Sequence, residues 1–170
     1  MNTKPLVAVV LGSVNDVEAM KPCLEKLKEM EVPHVMRILS AHRTPDACSE
    51  FARTAAAEGL QVLIAAAGMA AHLPGVLAAF TPLPVIGVPL KSPLAGLESL
   101  YSIVQMPGGV PVACVAVGKA GPVNAALLAT QILGVAEPGY RKRVLDMKEA
   151  LKEKGLASDR KARESHSWTP

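Results

Sequence analysis

The sequence predicts a three-layer α/β/α domain on a parallel five-stranded sheet, with one more helix at its C-terminal end. Three observations predict it. Five short apolar runs alternate with segments of helical period. Those runs lack polar alternation, as strands buried on both faces do. The chain, 170 residues long, is also large enough to cover such a sheet. Folding would take its surface from roughly 26,000 to roughly 8,000 Å², burying about 69%. Hydrophobic residues make 50% and charged residues 19% of it. That composition excludes a disordered, collagenous or coiled-coil chain. The apolar excess implies surface covered by a partner, most simply another copy.

The elements follow in order. Residues 6–11 read as a first strand, and 16–30 as a helix with Val17, Met20, Leu24 and Leu27 on one face. Residues 35–39 are strand-like, and 45–58 helical, with Pro45 in the first turn. Strands at 62–67, 85–88 and 112–117 alternate with helices at 73–80, 97–106 and 123–133. Together, residues 1–136 form one catalytic domain. A last helix, 138–154 within the segment 137–155, is charged and carries Val144, Met147 and Leu151 as a narrow stripe. It is expected to pack on a neighbouring subunit. Residues 156–170 are small and polar and are expected to fray as a flexible tail.

Charge and cysteine content narrow the class. Residues 1–136 carry nine Lys/Arg and nine Asp/Glu, while 137–170 carry nine and six, the whole net +3. The basic end alternates signs, and the aromatics are too few for a base-stacking platform, so nucleic acid is not an expected partner. Cys23, Cys48 and Cys114 form no CxxC pair, so they read as packed, reduced thiols of a cytoplasmic protein. The apolar run before Ser13 is too short for a signal peptide. Residues 62–90 hold no charged side chain, but His72, four prolines and three glycines interrupt them. They read as buried core, with no membrane span.

Parallel strands end on one edge, and ligands sit beyond it where strand order reverses. In a flavodoxin-like order, 2-1-3-4-5, the loops after the first three strands meet there. The first holds Gly12, Ser13 and Asp16, either an anion site at a helix start or an ordinary cap. The second holds Ser40, His42 and Arg43. Arg43 has the donor fork for a phosphate. His42 has the one side-chain type that exchanges protons near neutrality. The third holds Gly68, Ala71, His72 and Leu73. A ring buried there must find a partner or cost about 1–3 kcal/mol, so His72 is either a structural or a ligand-orienting histidine. His34 and His166 have no such setting and read as structural. No metal-ligand spacing and no nucleophile elbow appears. The residues alone describe a small α/β enzyme acting on a phosphorylated small molecule through acid–base chemistry at His42.

Four stretches carry a resemblance. They are Ser40-Ala41-His42-Arg43-Thr44-Pro45-Asp46, Ala71-His72-Leu73-Pro74-Gly75, Ser102-Ile103-Val104-Gln105-Met106-Pro107 and Asn124-Ala125-Ala126-Leu127-Leu128-Ala129. From residue 6 to 133 the chain resembles the 5-(carboxyamino)imidazole ribonucleotide mutases of purine (IMP) biosynthesis. The resemblance implies an isomerase that moves a carboxyl group from the exocyclic nitrogen of a ribonucleotide to ring carbon 4, with no cofactor or metal. It implies that His42 is first acid and then base, with CO2 held in the pocket. Ser13, Ser40 and Arg43 would bind the 5′-phosphate, and Asp16 the ribose. Gly68, Ala71, His72 and Leu73 would shape the pocket around base and CO2, with backbone N–H groups of that loop on the migrating carboxylate. It also implies a homo-octamer. Two positions depart from the pattern: Asn15 where Ser is common, and Met69 where Gly is common. The related branch that takes free CO2 has Lys where this chain has Arg43 and lacks His72. Relatives that carboxylate a dinucleotide look like longer chains with an extra N-terminal part. A carboxylase using free CO2 and a non-catalytic nucleotide-binding paralogue are the alternatives.

Overall fold

A computed structural model describes residues 4–165. Strands β1 (Val7–Leu11), β2 (His34–Ile38), β3 (Val62–Ala67), β4 (Val85–Pro89) and β5 (Ala113–Cys114) form one sheet of order β2-β1-β3-β4-β5. All neighbours are parallel, with Val9 opposite Met36 on one side and Ile64 on the other. The expected order is therefore the observed one.

Side chains that alternate along β1 build two cores. Val7, Val9 and Leu11 face one layer, where Met20, Cys23 and Leu27 of α1 (Val17–Glu29) meet Ala125, Ala126, Ala129 and Leu133 of α5 (Ala120–Ala136). Ala8 and Val10 face the other. There they meet Cys48, Phe51 and Ala52 of α2 (Pro45–Thr54), Leu73 and Leu77 of α3 (Leu73–Phe80), and Ile103 of α4 (Leu97–Val104). Period 2 in the strand and 3.6 in the helix thus turn one sequence into three layers.

The strand ends depart from expectation at the sheet edges. β2 lies at an edge, and Met36 and Ile38 are exposed, so this strand is not buried on both faces. β5 shrinks to two residues. Pro111 has no N–H to offer a ladder, and beyond Cys114 only the Val115 amide still bonds Gly87 O, at 3.1 Å. A 3-10 turn, Val14–Asp16, precedes α1. After α2 the chain closes at Gly59 (φ 96°), with Leu60 N–H donating to Ala55 O, the usual glycine-ended helix stop.

The last helix, α6 (Pro138–Ser165), runs straight through Gly155. The sequence predicts an end at Lys154 and a polar tail after it. A glycine costs a helix only about 1 kcal/mol, and the i,i+4 pair of Asp159 with Arg163 lies beyond it. Residues 166–170, the end of the predicted tail, lie outside the described residues, as do His166 and residues 1–3. α6 packs on α5 through Val144, its one buried residue. Arg141 donates to the C-terminal carbonyls of α5, Gly134 O at 3.0 Å and Val135 O at 2.9 Å. Arg143 pairs with Glu31 beyond α1. Among the described residues no helix is long and apolar enough to cross a membrane.

Candidate active site

The C-terminal ends of β1 to β4 open onto a cleft of about 560 Å³. Its lining comes from the loops after all four strands: Gly12–Asp16, Ser40–Arg43, Ala67–Ala70 and Leu90–Pro93, with Leu73 behind them.

The loop after β2 is held from within. Ser40 Oγ accepts from the Arg43 amide at 3.2 Å and from Arg43 Nε at 3.4 Å. Thr44 Oγ1 accepts from Ser40 N–H and donates to Ser40 O, both at 3.0 Å. Arg43 Nη2 reaches across to Gly12 O at 3.2 Å. The guanidinium therefore ties the first two loops together and has no carboxylate partner among the described residues. Ser13 is extended (φ −152°), and its Oγ accepts from Asn15 N–H at 3.2 Å. The capping box is half formed: the Asp16 carboxylate accepts from the Ser13 backbone N–H, while Ser13 Oγ takes the Asn15 amide and not that of Asp16. Asp16 also lines the cleft. Burial pushes its carboxyl up, and a hydrogen bond from the Ser13 backbone only partly opposes this.

His42 and His72 meet. His42 Nε2 lies 2.8 Å from His72 Nδ1, and the rings stand nearly perpendicular at 86°. One proton serves that contact, so whichever nitrogen donates, the other must be bare. The two tautomers are coupled. Both rings are exposed in the single chain, so His72 is not the buried ring that its apolar surroundings in the sequence predict. It contacts His42 but is not among the residues that line the cleft, where the sequence expects it to shape the pocket. His34 is structural, with Nδ1 2.8 Å from Val32 O.

The third loop corrects two expectations. Ala71 is fully buried in the α2–α4 core and does not line the cleft. Its N–H is bonded to Met69 O at 2.9 Å, and that of His72 to Ala70 O at 2.8 Å. Neither amide is free to hold a carboxylate. The Met69 and Ala70 amides, by contrast, have no acceptor among the described residues. Met69 is left-handed (φ 57°) and 63% exposed, so its side chain stands on the lip of the cleft. Gly68 and Leu73 line the cleft as expected. Among the described residues, no group of three or more His, Cys, Asp or Glu gathers as a metal site would.

A family model described as AIR carboxylase matches residues 6–154. The chain belongs to the AIR carboxylase family. Curated members of similar sequence include the N5-carboxyaminoimidazole ribonucleotide mutase of Aquifex aeolicus, 54% identical over 142 residues, 83% of this chain and 84% of the relative. The mutase of the same name from Bacillus subtilis is 51% identical over 156 residues, 91% of this chain and 96% of the relative. Among solved structures, Treponema denticola PurE superimposes with a TM-score of 0.84 at 29% identity, covering 92% of this chain and 98% of that one. In this member of the family the cleft has a lip residue, Met69, held in a conformation that favours glycine.

Sequence reasoning missed the fourth loop. Leu90, Lys91, Ser92 and Pro93 line the cleft, yet only the loops after the first three strands were brought together by the switch-point argument. A signal was present: between Glu58 and Glu98, Lys91 is the only Asp, Glu, Lys or Arg.

Proposed function

We propose that this chain is a 5-(carboxyamino)imidazole ribonucleotide mutase of purine biosynthesis. The observation that carries the reading is the 2.8 Å contact between His42 and His72. It sets a proton-exchanging imidazole in the cleft that Arg43, Ser40 and Ser13 also line. Curated relatives 51–54% identical over most of their length, named as mutases, support the same reading.

The 5′-phosphate binds Arg43 and the hydroxyls of Ser13 and Ser40. The Asp16 carboxylate accepts from the ribose hydroxyls. His42 protonates the exocyclic nitrogen while the carbamate C–N bond breaks and CO2 leaves. The ring carbon 4 then attacks CO2, forming the new C–C bond, and His42 takes back the proton from that carbon. Protons and charge balance over the cycle with no outside reactant. One imidazole can serve as acid and then base because its proton returns to it. CO2 kept beside the ring makes recapture effectively intramolecular. The unpartnered amides of Met69 and Ala70 are free to donate to the carboxylate.

An assay with two arms tests this. The carbamate substrate in bicarbonate-depleted buffer should convert rapidly to the carbon-carboxylated isomer. Aminoimidazole ribonucleotide with bicarbonate should react only at high bicarbonate. The reverse pattern makes the protein a carboxylase using free CO2. Silence in both arms from folded protein leaves a nucleotide-binding paralogue. Two variants test the roles. His42→Asn should abolish turnover and keep ribonucleotide binding. Arg43→Ala should weaken binding by about 1.5–3 kcal/mol, the loss of a charged hydrogen bond. Unchanged affinity there would remove the phosphate assignment.

A further inference from the structure

Lys91 is the only charged side chain from residue 59 to residue 97, and it lines the cleft. Its backbone is fixed. Leu90 before it is 6% exposed, and the Leu90 amide bonds Ala67 O at 3.0 Å. The loop after it is tied to α4, where Glu98 Oε1 accepts from Leu94 N–H at 3.1 Å and Ser92 Oγ lies 3.1 Å from Ser99 Oγ. Its aliphatic stem runs beside Gly118 (φ 83°), where a Cβ would stand 3.5 Å from Lys91 Cε.

The ammonium group has no ion-pair or hydrogen-bond partner among the described residues. An ammonium carries donors only, so an unpaired one on a ligand cleft asks for an anion. Its place in the sheet says which anion. Arg43 follows β2, and Lys91 follows β4, three strand spacings away, about 14 Å at the usual separation. Arg43 Nη2 lies on Gly12 O, after β1, and Lys91 Cε lies beside Gly118, after β5, so the two cations do not converge on one phosphate. A ligand anchored by phosphate at Arg43 and lying across β1 and β3 brings its opposite end toward Lys91. Among the charged residues that line the cleft, Asp16 is the only acid against these two cations.

We propose that Lys91 is a substrate-binding residue that takes the carboxylate of the ligand, at the end opposite the phosphate. The proposal rests on the ribonucleotide reading above and adds a second anion-binding point to it. Lys91 then separates the carboxylated nucleotide from its decarboxylated form, which carries the same phosphate and no second anion.

Calorimetric titration of the full chain separates the cases. The two ligands are aminoimidazole ribonucleotide and its 4-carboxylate. Lys91→Met should lower affinity for the carboxylate about tenfold or more and leave affinity for the decarboxylated nucleotide within about twofold, while Lys91→Arg restores most of the loss. In turnover, Lys91→Met should raise KM more than it lowers kcat. An equal loss for both ligands overturns the proposal, because it would place Lys91 on the phosphate or show that the loop has collapsed. An unchanged preference for the carboxylate also overturns it. If the unsubstituted protein binds neither nucleotide, the parent reading fails, a result distinct from a loss of selectivity in Lys91→Met.

Discussion

At Met69 the backbone conformation and the residue type disagree. A left-handed φ costs a side-chain-bearing residue roughly 1–2 kcal/mol, and glycine recovers that while adding freedom to the unfolded chain. Met69→Gly is therefore expected to raise stability by about 0.5–1 kcal/mol, and Met69→Val to lower it by about 1 kcal/mol or more, because branching at Cβ worsens the clash. Urea unfolding of both variants checks this; a Gly variant clearly less stable than the parent would show that φ 57° carries no strain here. Asp16 gives a pH-dependent case. Burial raises its carboxyl in the folded state, so the folded protein binds more protons than the unfolded one between the ordinary aspartate range and the raised value. Stability contributed by this group is lost as pH rises through that window. Asp16→Asn should therefore raise the urea midpoint at pH 7 and flatten that part of the pH profile, while weakening ribonucleotide binding. A lower midpoint at pH 7 would contradict the assignment. The cysteines show the same physics without function. Burial pushes the Cys23 thiol up to about 12 and raises those of Cys48 and Cys114, which fits packed thiols.

The elements differ in how well local sequence defines them. The bounds of β3 and α3 coincide with their apolar run and Pro-led turn, because β3 is buried along its whole length and α3 is anchored in the core by Leu73, Pro74 and Leu77. β5 and α4 are shorter than their patterns. One leaves the ladder after the Val115 amide bonds Gly87 O, and the other stops at Val104, three residues before Pro107. α5 begins earlier than its periodicity, at Ala120, and the reason is a close approach. A Cβ on Gly121 would stand 2.1 Å from Ala116 O, so only glycine lets the start of this helix lie against the chain leaving β5. Gly121→Ala is expected to cost about 1–3 kcal/mol through overpacking, read as a lower urea midpoint. A neutral result would mean that the β5–α5 turn gives way freely. Sequence spacing cannot show such a contact, since Ala116 and Gly121 look unremarkable along the chain.

For the whole molecule, the single chain leaves apolar surface uncovered. Leu97, Tyr101 and Val104 of α4, and Leu145, Leu151 and Leu156 of α6, are exposed. Beyond Met147, nearly all of α6 stands in solvent. A helix with so little buried surface gains little from its own domain, which supports the proposal that α6 packs on neighbouring subunits of an octamer. Light scattering should give about eight times the 17.8 kDa chain mass, and Leu151→Glu should shift it to smaller species. A monomeric parent protein would end that proposal.

How much was legible follows from where each interaction lies. Alternating apolar runs and helical periods dictated the five βα units, because a buried parallel sheet needs both faces apolar. The same pattern, with the switch-point rule, placed Ser13, Ser40, His42, Arg43 and Gly68 at one edge. Tertiary structure decided what depends on distance across the fold. It joined His42 to His72, thirty residues apart in the chain. It turned Ala71 into the core and tied up its amide. It set Met69 at positive φ and brought Lys91 from β4 into a cleft that the first three loops only partly enclose. Hydrophobic patterning is repeated and local, so a sequence displays it. Single contacts between distant loops leave no period, and only the folded chain reveals them.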